Sequence, residues 1–200
     1  VLHSLGMGSG AGQVAVDELN KLCKALEAAE TISDAMIQEL AQGAKSLSNL
    51  MMLDGVVTEE NAAGILASLS DAVALLAETG SGEASALIAG VQSIGRLAAI
   101  VPSTPTCDAI EYVYDTWTLH SHNKALACAS IAAMGSLAAS PAAALLMSDL
   151  GALEKMLATG KQYGDDTNLQ DLISTAMQKV MDIFTANSSW LAGEPGGGRA

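Results

Sequence analysis

His120 and His122, separated by one residue, with Asp115, Cys107 and Cys128 in the flanking sequence, are the one cluster in the chain with metal-ligand chemistry. Alternate residues of a loop can both reach one ion, but a tight site needs three or four ligands in a fixed shell. Beside a helix C-terminus the pair has a simpler account, because imidazolium there is favoured by the helix dipole. We therefore expect no metal and no other cofactor. Gly6-Met7-Gly8-Ser9-Gly10-Ala11 fits a GxGxxA frame after a strand-like Val1 to Leu5. Cradling a dinucleotide phosphate there requires a parallel βαβ unit, and no second strand follows, so the segment reads as a flexible glycine lead-in. His3, His120, His122 and many serines are present without a Gly-x-Ser-x-Gly elbow or a sheet to hold one. The sequence predicts no catalytic residue and a protein that is not an enzyme.

The elements that must carry these side chains are helical. Half of the 200 residues are hydrophobic and only 3% are aromatic, and the apolar load falls on Ala, Leu, Met, Ile and Val, a composition suited to helices rather than strands. Such a chain buries enough apolar surface to fold. The net charge is −13, spread as −8 over residues 1–100 and −5 over the rest, which leaves no basic face for nucleic acid or anionic lipid. Cys23, Cys107 and Cys128 form neither a disulfide framework nor a zinc ribbon, and favour a reduced, intracellular and cytoplasmic setting. Asn187-Ser188-Ser189 is a single glycosylation sequon, the feature that favours an extracellular alternative. Val1 to Leu5 lacks the length and basic flank of a signal peptide, so the chain reads as a fragment or as processed. The uncharged stretch Ala125 to Ser148 is long enough for a membrane span. Its small residues and Pro141 predict instead a buried helix followed by a short one, with no direct membrane insertion.

Gly, Pro and polar clusters divide the chain into eight or nine helices. A lead-in is expected over 1–10, a helical domain over 11–190 and a flexible tail over 191–200. The first helix runs from Ala11 to Ala29 with Val14, Leu19, Leu22, Cys23 and Leu26 inward, and the second from Ser33 to Leu53, stopped by Asp54-Gly55. Thr58 is placed as N-cap of a helix reaching Glu78, and Thr79 to Gly82 closes it. Helices follow over Glu83 to Ile100, Thr106 to Leu119 and Asn123 to Ala139, with a linker at Pro102 to Pro105. Ser140 caps a short helix that Gly151 turns into Ala152 to Gln162. Thr167 and Gln170 form a capping-box pattern ahead of the last stripe, Leu169 to Phe184. The nine Met residues, scattered over these stripes, read as core packing.

Four helices share one spacing of apolar positions: Leu40, Ala44, Leu47, Leu50; Leu87, Val91, Ile94, Leu97; Ala127, Ile131, Met134, Leu137; and Ile173, Met177, Val180, Ile183. Their starts lie 47, 40 and 46 residues apart, in the range of helical repeats. From Lys124 to Ala186 the order is long helix, short helix, Gly-led helix, long helix. This stretch resembles the armadillo repeat, with Gly151 matching its turn glycine and Asn168 to Ala186 its third helix, and the first half is HEAT-like. The resemblance implies an all-α fold, a right-handed α-solenoid of about four units, with a compact helical bundle as the alternative. It implies a protein-interaction scaffold or an obligate subunit of a larger complex, whose partners are other protein chains. A second resemblance, of Val56 to Ala63 to helical parts of adhesion-receptor or polycystin-like stalks, implies an ectodomain, in which Cys107 could pair with Cys128.

In a solenoid of the armadillo kind the third helices line the concave face. Gln92, Arg96, Gln178 and Lys179 are expected on that face as partner-binding residues, a polar strip of mixed charge. Tyr112 and Tyr114 with Trp117 are the candidate aromatic anchors, since large amphipathic rings dominate interface energetics, while a core role is the favoured reading of Tyr114 and Trp117.

Overall fold

The computed structural model describes residues 7–53, 55–79, 84–101 and 107–186. Among them are nine α-helices and no strands: α1 (Met7–Glu27), α2 (Asp34–Leu50), α3 (Ala62–Glu78), α4 (Ala84–Ile100), α5 (Cys107–Leu119), α6 (Lys124–Leu137), α7 (Pro141–Asp149), α8 (Ala152–Gln162) and α9 (Thr167–Ala186). The expected linker at Pro102 to Pro105, the tail and Asn187 lie outside the described residues.

Side chains that satisfy orphan backbone N–H groups set several starts. Ser33 accepts from Met36 N at 3.4 Å, Asn123 from Leu126 N at 3.1 Å, and Ser140 from Ala143 N at 3.2 Å with Pro141 in the first turn. Gly151, at φ 74°, takes the left-handed turn between α7 and α8 that an L side chain adopts only with strain. Ala138 to Ser140 break the uncharged stretch into α6 and α7, and no helix among the described residues is long and apolar enough to cross a membrane.

Several boundaries differ from the sequence expectation, among them the end of α2 at Leu50 rather than Leu53. Helix α1 begins at Met7, so residues 7–10 are helical rather than part of a flexible lead-in. Its face is Val16, Leu19, Cys23 and Leu26, and Val14, two residues and about 200° round the helix from Val16, is 65% exposed. Helix α3 starts at Ala62, not beside Thr58. The Thr58 hydroxyl accepts from Asn61 N while Asn61 Oδ1 accepts from Thr58 N at 2.8 Å, so the reciprocal capping pair forms one turn ahead of the regular helix. Asp166 rather than Thr167 caps α9, accepting from Leu169 N at 3.0 Å, and Gln170 reaches across to Gly160 O at 2.8 Å.

Packing is extensive between sequential helices, α1 with α2, α3 with α4, α5 with α6 and α8 with α9, and between alternate ones. Helix α2 lies on α4, α4 on α6 and α6 on α9, while α1 lies on α3, α3 on α5 and α5 on α7. The first of these rows holds the four helices that share the repeated spacing. Of their sixteen matched positions, Leu50, Met177 and Ile183 are half-buried and the others are buried. Small residues bring the row together: a Cβ at Gly95 would stand 2.7 Å from Ala133 Cα, and one at Gly135 3.2 Å from Ala176 Cβ. Helices α3, α4 and α6 bury most of their own apolar residues, whereas α1, α2 and α9 turn polar residues outward. Between α2 and α3 the chain is held by Val56, which is buried near Gly12 of α1, and by Asn61 Nδ2 donating to Val56 O at 2.7 Å.

Candidate functional site

At the C-terminal ends of α2 and α4 the row opens into a cavity of about 430 Å³, with Met51, Met52, Leu53, Gly55 and Val57 as its third wall. Helix α2 stops in successive tight turns, Met51 N donating to Leu47 O, Met52 N to Asn49 O and Leu53 N to Leu50 O. These turns bury Met51 but leave Met52 and Leu53 61% and 58% exposed. Ala99 and Ile100 of α4 face them with Val57, and Ile100 is 57% exposed. The wall is thus apolar, adaptable methionine and leucine, with few polar groups.

Those polar groups are specific. Arg96 lines the cavity and its Nη1 donates to Met52 Sδ at 2.8 Å, a weak acceptor for a guanidinium. Among the described residues no carboxylate pairs with Arg96. It is also the one Lys or Arg between Lys45 and Lys124 in the sequence. Ser93 and Ser48 complete the polar wall, and Ser48, 7% exposed, has an Oγ without a hydrogen-bond partner.

The expected binding residues do not form one strip. Gln92 and Arg96 are exposed on α4, one turn apart, and Arg96 belongs to the cavity shared with α2. Lys179 is exposed on α9 and lines a different depression, of about 380 Å³, between α6 and α9 with Ile131, Asp171 and Leu172. Gln178 is exposed and donates to Asp182 Oδ1 at 2.6 Å. Trp117 is 1% exposed, so it is core and not a surface anchor: α5 turns it inward, with Lys155 Nζ 5.1 Å from its ring centroid. That ammonium also lies 5.5 Å from the Tyr114 ring, and desolvation there lowers its pKa. Tyr112 is half-buried, its hydroxyl pushed up by desolvation and by Asp71, Asp108, Glu111 and Glu27.

The residues that drew attention for chemistry are kept apart. His120 Nε2 lies 3.2 Å from Ala77 O, and His122, exposed, offers its backbone carbonyl to Tyr163 OH at 3.3 Å. Among the described residues no three His, Cys, Asp or Glu side chains come together as a metal shell. Cys23, Cys107 and Cys128 are unbridged, and burial pushes the Cys23 thiol up to about 11. A third cavity, of about 450 Å³, is polar and built on the Lys124–Asp166 ion pair, N to O 2.5 Å, with Tyr163 beneath Lys124.

Sequence reasoning found Arg96 but missed Ser48, Met51, Met52 and Leu53. A signal was present: Leu50 to Leu53 are four consecutive apolar residues, and a helix of 3.6 residues per turn cannot turn all four to one core. Two of the nine methionines therefore line a groove. No family model, no curated protein and no solved structure matches this chain.

Proposed function

We propose that this chain is a non-enzymatic protein-interaction scaffold, built as a right-handed α-solenoid of about four armadillo/HEAT-like units. The units are α1–α2, α3–α4, α5–α6 and α7–α8–α9. The observation that carries the reading is the order of packing: each pair rests on the next through α2, α4, α6 and α9 on one side and α1, α3, α5 and α7 on the other. Stacked repeats that touch chiefly their neighbours give such an order, and they present long faces rather than one enclosed site. The last unit adds support, since a short α7, a left-handed Gly151 and a longer α9 match the three-helix repeat. The polar outer faces favour a partner that comes and goes, with the apolar cavity at Arg96 as its contact point.

Two measurements test this reading. A compact bundle of this length has a radius of gyration of about 16 Å. Small-angle scattering from the full chain should exceed that value, and agreement with it would favour the bundle. A photo-crosslinking side chain at Gln92 should yield discrete protein adducts that the same group at Glu111, on the α5 side, does not. Adducts from neither position would remove the scaffold function.

A further inference from the structure

We propose that Met52 is a reversible oxidation site, at which a hydroperoxide converts the thioether into a sulfoxide that Arg96 then holds. The site stands whether or not the chain is a scaffold. Met51, Met134, Met147 and Met156 are buried and Met36 and Met177 half-buried, so peroxide reaches their sulfur slowly. Met52 and Met181 are 61% and 51% exposed. Of these two, among the described residues, only Met52 has a donor on its sulfur: Sδ accepts from Arg96 Nη1 at 2.8 Å.

The step is a two-electron oxygen transfer. A sulfur lone pair attacks the terminal peroxide oxygen, and the S–O bond forms as the O–O bond breaks. The proton on the transferred oxygen passes to the departing one, which leaves as water or an alcohol. Sulfur is oxidised and the peroxide reduced, so no further reactant is needed. What the fold adds lies on the product side. A thioether is a weak acceptor for a guanidinium, whereas the sulfoxide oxygen carries a large negative partial charge and accepts a strong bond from a cationic donor. Met52 lies in the turns that end α2 and Arg96 lies in α4, so the sulfoxide strengthens a link between the two helices. Methionine oxidation ordinarily loosens a fold by making a core side chain polar. Here the side chain is outside the core, and its new oxygen meets a donor already in place. Reduction by methionine sulfoxide reductases restores the thioether.

The test is amide hydrogen exchange, read by NMR on the full chain carrying Met181→Leu, before and after dilute hydrogen peroxide. Tandem mass spectrometry locates each sulfoxide. Met52 should be oxidised well ahead of its buried neighbour Met51. The amides of Met52 and Leu53, bonded to Asn49 O and Leu50 O, should then exchange about fivefold more slowly, the effect of one strengthened hydrogen bond. In Arg96→Leu the same oxidation should leave their exchange unchanged or faster, and in Met52→Leu peroxide should have no effect on it. The two sulfoxide reductases, one for each epimer, should return the oxidised parent to its starting rates. Both substituted positions are exposed, and an unchanged thermal midpoint before oxidation verifies that each variant is folded. A Met52 that stays reduced while Met51 or Met36 is oxidised, exchange in the parent that is unchanged or faster after oxidation, equal slowing with and without Arg96, or a sulfoxide that resists both reductases would each overturn the proposal.

Discussion

Gly95→Ala tests the contact on which the row of helices depends. The added Cβ would lie 2.7 Å from Ala133 Cα and 3.0 Å from its Cβ, where ordinary contact begins at 3.4 Å, so α4 and α6 must part by about 0.7 Å. The obstacle is backbone and cannot rotate away, which puts the overpacking cost near the upper end of its range, about 3 kcal/mol. Alanine's helix preference over glycine returns about 1 kcal/mol, leaving a loss of about 2 kcal/mol. Gly64→Ala is the control: Gly64 is exposed in α3 and its added Cβ meets nothing within 4 Å, so only that same gain remains, about 1 kcal/mol. With a urea m-value of about 2 kcal/mol/M, the midpoints should move by about −1 M and +0.5 M. Gly135→Ala, whose Cβ would meet Ala176 at 3.2 Å and 3.3 Å, should fall between them. A Gly95→Ala protein as stable as the Gly64→Ala protein would refute the close approach of α4 to α6.

Asp71 sits where desolvation, Glu27 and Asp108 all raise its pKa from 3.8. The folded state then holds more protons than the unfolded one as pH rises above 3.8 and until the raised folded pKa is passed, so stability falls as pH rises through that window. Asp71→Asn should therefore be more stable than the parent at pH 7 and show a flatter pH profile in thermal melts. Thiol labelling should follow exposure and ionisation: Cys107 first, Cys128 slower, and Cys23, buried with a pKa of about 11, last and only as the chain opens. A rapidly labelled Cys23 would contradict the packing of α1. Asn61→Ala removes the bonds to Val56 O and Thr58 N and should cost about 2 kcal/mol, read in the urea midpoint.

The fold was largely legible because its signals are local. The stripe from Leu87 to Leu97 marks α4 whatever it packs against, and Ser140-Pro141 and Gly151 state their own turns. The four helices that share one spacing are also the ones that pack in a row, α2 on α4, α4 on α6 and α6 on α9. The site was legible only in part, because it depends on register between distant segments. Trp117 continues the stripe of Ile110 and Val113 that α5 turns into the core, so its burial is legible, whereas nothing near Arg96 places Met52, 44 residues away, against it. Cap choice failed for a related reason: Asp166 and Thr167 are both good caps, and where the α8–α9 turn aims each side chain decides between them.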